Sequence, residues 1–161
     1  MTRRHLLALL AATPLALPRL GRAQAEPTQA QPDLPKQKLV IVTHDGARHD
    51  FSVELATTPQ QQEVGLMFRA HIPADGGMLF DWGVVRPSQM WMKNTVSSLD
   101  MLFIGPDGTI RRIAEHTVPQ SLAVIDGGEA RATLELAAGT AERLDIRVGD
   151  KVLAQQFGNA P

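Results

Sequence analysis

Short apolar runs separated by turn residues dominate the sequence from residue 38 onward and restrict what the chain can fold into. Most of these runs are rich in Val, Ile, Leu and Phe, and several alternate apolar and polar positions as half-buried strands do. The predicted strands cover residues 38–43, 50–56, 76–82, 89–94, 99–105, 109–116, 132–138 and 148–156. Asp45-Gly46, between the first two runs, is typical of a hairpin turn. Many short strands joined by turns favour a mainly β fold, an antiparallel β-sandwich or part-open barrel, over a parallel α/β sheet.

Two short helices are predicted between the strands. Thr58 is followed by Pro59 and, three residues after the cap, by Gln61. This is a capping box with proline at the first helical position, where its missing N–H is not needed. It predicts a helix at about residues 59–67, and a second one is predicted at residues 139–145.

The first 25 residues have the pattern of a secretory signal peptide. Arg3 and Arg4 precede an apolar run from Leu6 to Leu17, and Ala23-Gln24-Ala25 forms a small-x-small cleavage site. The run is shorter than the roughly 20 residues that a permanent membrane span needs. The paired arginines also fit a twin-arginine signal. We therefore predict export to the bacterial periplasm or exterior, cleavage after Ala25, and no stable membrane span afterwards.

The part that would remain after cleavage is acidic and has no cysteine. The first 25 residues contain four of the 16 basic residues and none of the 17 acidic ones, which leaves 12 basic and 17 acidic residues, a net charge of −5. Such a charge disfavours nucleic acid and anionic membranes as partners. Without cysteine the chain has no disulfide, thiolate metal site or thiol nucleophile. Residues 26–37 contain three prolines and are predicted to be a flexible linker before one domain at residues 38–157.

Five strings in a fixed order carry a family resemblance. They are EVGLMFR (63–69), GGMLFDW (76–82), MWMKNTVSSLDMLFI (90–104), TLELAAG (133–139) and VGD (148–150). Together they resemble the DUF192 family, also called UPF0127, of small exported or membrane-associated prokaryotic proteins, over about residues 38–156. The resemblance implies a compact β-rich domain that usually stands alone, and it implies no activity. Met90 and Ala137 or Ala138 stand where members often have Phe and Pro, which we interpret as packing or turn variation.

The WMKNT string offers the leading ligand-binding hypothesis. Trp91 would supply an apolar platform, Lys93 a cation and Asn94 an amide, with Thr95 beside them at the end of a strand. In the structural alternative, Lys93 pairs with Asp100, and the amide and hydroxyl bond the turn backbone. The first hypothesis predicts a non-enzymatic module for a small polar or anionic ligand. The second predicts a fixed polar corner.

Three further charged residues complete the candidate site. Arg69 suits a bidentate clamp on an anionic ligand, or it lies at the C-terminus of the predicted helix, where a cation is stabilising. Asp100 and Glu135 interrupt apolar runs. A hydrolase or transferase could use either as an acid–base group if both faced one cleft together with Lys93 or Arg69. The alternation of Glu135 with its leucine neighbours favours an outward, solvated carboxylate instead.

Metal sites and common enzyme motifs have less support. Five methionines allow Cu(I) ligation through thioethers, but each lies among apolar residues, where Met fills gaps in a core. They are Met67, Met78, Met90, Met92 and Met101. Histidines 44, 49, 71 and 116 lack ligand spacing, and GxSxG, HExxH and Gly-rich phosphate loops are missing from the sequence. The sequence therefore predicts a binding module without metal or cofactor, with acid–base catalysis and copper handling as alternatives.

Overall fold

Seven strands form one sheet in the computed structural model, which describes residues 26–160. The strands β1 to β7 are Lys36–Val42, Arg48–Ala56, Met78–Met90, Leu99–Ile104, Ile110–Ala114, Ile125–Ala137 and Lys151–Leu153. The helices are α1, Pro59–Val64, and α2, Thr140–Arg143, with a 3-10 turn at Gln155–Phe157. The strand order across the sheet is β5-β4-β6-β3-β2-β1-β7.

The two edge strands, β5 and β7, nearly close the sheet into a barrel. Thr109 and Lys151 form an isolated antiparallel bridge, and the N–H of Ile110 donates to the carbonyl of Asp150 at 2.9 Å. Such contacts occupy backbone groups that open sheet edges leave unpaired. The predicted mainly β fold with two short helices is therefore confirmed in its barrel form. One pairing departs from the antiparallel pattern: β2 and β3 run parallel, because the connection that carries α1 crosses over between them.

The sheet buries side chains on both faces. The inner cluster takes residues from all seven strands, among them Leu39, Phe51, Leu79, Leu102, Ile110, Leu134 and Val152. The outer cluster lies on β3, β4 and β6 and is covered by side chains from the connecting segments. It includes Met78, Phe80, Met101 and Phe103, with Leu66, Ile72 and Met92 packed over them. Because β4 is covered on both faces, all six of its residues are buried, and its sequence, LDMLFI, is nearly continuously apolar rather than alternating.

The strongest local signals in the sequence are confirmed. Gly46 adopts a φ of 85° in the turn between β1 and β2. The hydroxyl of Thr58 accepts a hydrogen bond from the backbone N–H of Gln61, and the Gln61 side chain accepts one from the N–H of Thr58. The helix ends at Val64, earlier than predicted, because Gly65 leaves the helical region with a φ of 50°.

The bounds of several predicted strands are wrong. Residues 78–82 of the first predicted segment and residues 89–90 of the second belong to one strand, because β3 runs from Met78 to Met90 and is accommodated against β6 by register shifts. Residues 91–94 lie outside it and form a turn. The strand predicted at residues 132–138 extends back to Ile125. Only three residues of the last predicted strand, Lys151–Leu153, pair as β7.

The segment before β1 packs against the domain. The side-chain amide of Gln31 donates to the carbonyl of Gln61 at 3.0 Å, and the N–H of Leu34 donates to the carboxylate of Glu54 at 2.7 Å. Strand β1 begins at Lys36, so the boundary predicted after residue 37 falls inside it. The predicted signal peptide lies outside the described residues.

No helix within residues 26–160 is both long enough and apolar enough to cross a membrane.

Candidate functional site

A cleft of about 320 Å³ lies between α1, the residues that follow it, and the outer face of β3 and β6. It brings together both tryptophans of the chain, Trp82 and Trp91. The remaining lining residues are Pro59, Gln62, Glu63, Val64, Gly65, Leu66, Met67, Phe80, Arg86, Gln89, Met90, Thr95 and Glu135. The cleft therefore combines apolar and aromatic surfaces with a few polar groups, as small-molecule sites do.

Glu135 is the most buried ionisable side chain of this lining, at 4% exposure. The sheet register pairs it with Met78 on β3 and Met101 on β4, so the three side chains share the outer face. Gly77 allows β3 to begin this close to β6, because a Cβ there would lie 2.1 Å from the Glu135 carbonyl oxygen. The prediction of an outward, solvated carboxylate at this position is wrong, because the outer face of β6 is covered here.

The carboxyl group of Glu135 has no hydrogen-bond donor or charged partner among the described residues. Burial raises its pKa from 4.5 to about 8, with no opposing contribution. The physical cause is that the charged form loses its hydration and gains nothing in exchange. At neutral pH the group is therefore mostly a neutral acid that can donate as well as accept a hydrogen bond. A carboxyl group in a cleft whose pKa is raised by burial is a candidate functional group.

The two tryptophans of the cleft each carry a cation on the ring. The guanidinium carbon of Arg86 lies 4.2 Å from the ring centroid of Trp82. The Nζ of Lys93 lies 5.1 Å from the ring centroid of Trp91, which is 45% exposed. Both distances are within the range of cation–π attraction. Each tryptophan ring of the cleft is thus already in contact with the cation of a neighbouring side chain.

A buried hydrogen-bond chain fixes the orientation of Trp82. Its Nε1–H donates to the hydroxyl of Thr133 at 3.2 Å, and that hydroxyl is bonded to the hydroxyl of Ser88 at 3.0 Å. The ring of Phe80 lies against the indole at a centroid distance of 5.7 Å. Because these contacts set the ring independently of any ligand, this wall of the cleft is pre-organised.

The structure brings part of the WMKNT string to the cleft. Trp91 and Thr95 line it, whereas Lys93 lies over the outside of the tryptophan ring and pairs with Glu26. Asn94 occupies the left-handed region with a φ of 56°, and its side-chain amide contacts the sulfur of Met67 at 3.8 Å. The predicted bond from Thr95 to the turn backbone is confirmed, since its hydroxyl donates to the Lys93 carbonyl at 3.3 Å.

Asp100 has a structural partner that the sequence did not suggest. Its buried carboxylate accepts hydrogen bonds from the N–H of His116 at 3.0 Å and from the N–H of Ala141, in the first turn of α2, at 2.9 Å. It thereby caps a helix whose own N-cap residue, Gly139, has no side chain. The predicted pairing of Asp100 with Lys93 is wrong, because these backbone donors satisfy the carboxylate.

Asp100 and Glu135 do not share a cleft. Asp100 is paired with Leu136 across β4 and β6, which places it on the face opposite to Glu135. The joint acid–base arrangement of the two carboxylates, which required a common cleft, is therefore not formed in this structure.

Arg69 forms a buried fork with Glu54 on β2. The Nη1 group of Arg69 donates to Oε1 of Glu54, and the Nη2 group donates to Oε2 at 3.0 Å. The Oδ1 atom of Asp33 lies 3.6 Å from the same Nη1. The pair lines a separate cavity of about 180 Å³ rather than the cleft of Glu135. The alternative placement of Arg69 at the end of a helix is wrong, because α1 ends at Val64.

The methionines pack mainly as core residues. Met78, Met92 and Met101 are fully buried in the outer cluster, Met67 is buried beside the cleft, and Met90 packs partly against the same cluster. Across residues 26–160, no group of three or more His, Asp or Glu side chains is placed to hold a metal ion.

Sequence reasoning missed Trp82, Arg86 and Glu54. Trp82 closes the string GGMLFDW and is the only tryptophan besides Trp91, so its rarity was the available signal. Arg86 was hidden because the strand was predicted to end before it. Glu54 sits in an apolar run, and its partner lies 15 residues further along the chain.

Comparison with known proteins identifies a family and two similar structures. The family model DUF192, described as "Uncharacterized ACR", matches residues 40–154. A crystal structure from Sinorhizobium meliloti 1021, of a protein provisionally named a transcription regulator, is 47% identical, with a TM-score of 0.76, covering 79% of this chain and 99% of that one. A protein of unknown function from Novosphingobium aromaticivorans DSM 12444 is 37% identical, with a TM-score of 0.72, covering 75% of this chain and 86% of that one. No curated protein matches the chain.

Proposed function

Since the chain belongs to the DUF192 family, a family of uncharacterised proteins, we propose a function from the cleft itself: the protein is a non-enzymatic module that binds a small polar ligand beside Glu135. Trp82 and Trp91 form the walls of the site, and Thr95 contributes a hydroxyl at its edge. We further propose that the protein is exported and acts in the periplasm or outside the cell, with residues 1–25 as its signal.

The observation that carries the proposal is the unpartnered carboxyl group of Glu135. The side chain is only 4% exposed and its carboxyl group lines the cleft, so a charge there is poorly hydrated and any hydrogen-bond partner must come from the cleft. A ligand that enters the cleft supplies the missing partner. The apolar lining, including Leu66 and Phe80, offers contact area to the rest of that ligand.

Binding is better supported than catalysis. A hydrolase or transferase acting here would need a second group that moves protons or attacks the substrate, positioned within reach of Glu135. The lining residues of this cleft include no histidine or lysine, their other carboxylate, Glu63, is exposed on α1, and the one hydroxyl side chain, Thr95, bonds a backbone carbonyl. The copper alternative lacks an equivalent argument, since the methionine side chains are mostly buried in the core.

The test is a thermal-shift screen of the purified protein against small polar compounds, including amino acids, sugars, amines and carboxylates. A ligand at one hundred times its Kd stabilises the folded state by about 2.7 kcal/mol, which raises Tm measurably. The decisive variant is Glu135→Gln, which keeps the shape of the side chain. Glu129→Gln is the matched control, because Glu129 is an exposed carboxylate on the same strand.

The expected result is a compound that raises Tm of the wild type and the control but raises that of Glu135→Gln much less. A Trp91→Ala variant should weaken the same compound, because it removes a wall of the site. Equal shifts in all variants would place the binding site elsewhere and refute the proposal.

A further inference from the structure

We infer that the ligand of the Glu135 cleft carries a protonated amine, which pairs with the Glu135 carboxylate while its carbon skeleton packs between the tryptophans. This inference rests on the proposed binding function and specifies the chemical class of the ligand. Three features of the cleft support it: its charges, its aromatic faces and its buried carboxyl group.

The presence of glutamate rather than glutamine at position 135 bears on the charge of the ligand. A neutral ligand that needs only a hydrogen bond would be served equally by glutamine, which avoids the desolvation of a potential charge. What a carboxylate offers beyond glutamine is a charge-assisted hydrogen bond to a ligand that brings a positive charge. In the low-dielectric surroundings of Met78 and Met101, the attraction between that charge and Glu135 is much stronger than in water.

Three further charged side chains lie at or near the cleft: Glu63, Arg86 and Lys93. The exposed Glu63 on α1 adds a second acidic group at the rim. Arg86 on β3 and Lys93 in the following turn are the cations, and each already lies over a tryptophan ring at the mouth. Of these two cations only Arg86 lines the cleft, neither pairs with Glu135, and their contacts show that both rings can hold a cation.

Binding of an ammonium group to Glu135 displaces the proton of the carboxyl group into the solvent. At pH 7 the carboxyl is mostly protonated, because burial raises the pKa of Glu135 to about 8. An incoming ammonium group keeps its own protons, and the carboxyl releases its proton to the solvent, which leaves an ion pair. Binding of an amine at pH 7 should therefore release about 0.9 proton, whereas binding of a neutral compound should release none.

The experiment compares primary amines with the alcohols of the same carbon skeleton, from ethylamine and ethanol to 2-phenylethylamine and 2-phenylethanol. Isothermal titration calorimetry at pH 7, repeated in buffers of different ionisation enthalpy, gives the affinity and the number of protons released. Titrations at pH 6, 7 and 8 give the pH dependence. The variants are Glu135→Gln and, as a control outside the cleft lining, Glu129→Gln.

The expected result is an amine that binds at least about tenfold more tightly than its alcohol, releases close to one proton, and gains nearly tenfold in affinity from pH 6 to pH 7. Glu135→Gln should abolish the preference and the proton release, and Glu129→Gln should keep both. If amines and alcohols bind alike without proton release, the amine assignment is wrong while the binding function stands. If no compound of either class binds in a Glu135-dependent way, the amine assignment is overturned, and the wider screen decides the binding function separately.

Discussion

Replacing Glu135 by glutamine should stabilise the protein, and increasingly so as the pH rises. In the folded state burial holds the pKa of Glu135 at about 8, whereas the unfolded chain has the ordinary value of 4.5. Between these values the folded state binds more protons than the unfolded state. Stability is therefore lost as the pH rises above 4.5, and the loss is complete only above about pH 8.

The magnitude follows from the difference between the two pKa values. One pKa unit corresponds to about 1.4 kcal/mol, so the full rise at Glu135 corresponds to about 5 kcal/mol. From pH 5 to pH 9 the loss from this one group is about 4 kcal/mol. A domain of this kind has a total unfolding free energy of about 5–15 kcal/mol, so the effect is a large fraction of its stability.

The assay is urea denaturation of wild type and Glu135→Gln at several pH values from 5 to 9. Subtracting the two free energies of unfolding at each pH cancels the other titrating groups, and the difference should change by about 4 kcal/mol in favour of the variant. The exposed control Glu129→Gln should give a flat difference. Parallel curves for wild type and Glu135→Gln would refute the claim that this carboxyl is buried without a partner.

Three further changes test the assignments of the other charged residues, each by the same denaturation experiment. Arg69→Met should destabilise the protein by about 3–5 kcal/mol, because it leaves the buried charge of Glu54 unpaired. A double variant that also carries Glu54→Met should recover most of this loss. If the losses of the two single variants add instead, the pairing is contradicted. Asp100→Ala should destabilise by about 2–4 kcal/mol, since it leaves two backbone N–H groups without an acceptor; a loss below 1 kcal/mol would contradict the capping role. Lys93→Ala should change stability by less than about 1 kcal/mol, because its partner Glu26 is largely exposed; a variant that fails to fold would restore the interpretation of Lys93 as a structural lock.

Local signals in the sequence predicted the local structure well. The turn at Gly46 and the capping box of Thr58 and Gln61 depend on a few adjacent residues, so their chemistry is visible in one short window. The extent of β3 could not be predicted in this way. Gly83 and Pro87 are typical strand breakers, yet both lie within β3, because register shifts against β6 accommodate them.

The candidate site was predicted only in part, because burial of a side chain depends on what packs over the strand. Two residues of the WMKNT string, Trp91 and Thr95, line the cleft. The solvated state expected for Glu135 followed from alternation with leucines, which assumes that one face of a strand meets water. That assumption fails here because Leu66 and Met92, in the outer cluster, pack over this face of the sheet. The segments that carry these two residues are far from β6 in sequence, so the alternation within β6 could not reveal them.

The contrast between the two buried carboxylates is the strongest argument that the cleft has a function. Asp100 and Glu135 face opposite sides of adjacent strands, and both are withdrawn from water. The first meets two backbone donors and caps a helix, so its presence is explained by the fold alone. The second meets no donor among the described residues, and leucine or glutamine would fill its place with less loss of stability. A residue that weakens the fold at neutral pH and lines a cleft together with both tryptophans supports the proposal that this cleft receives a ligand.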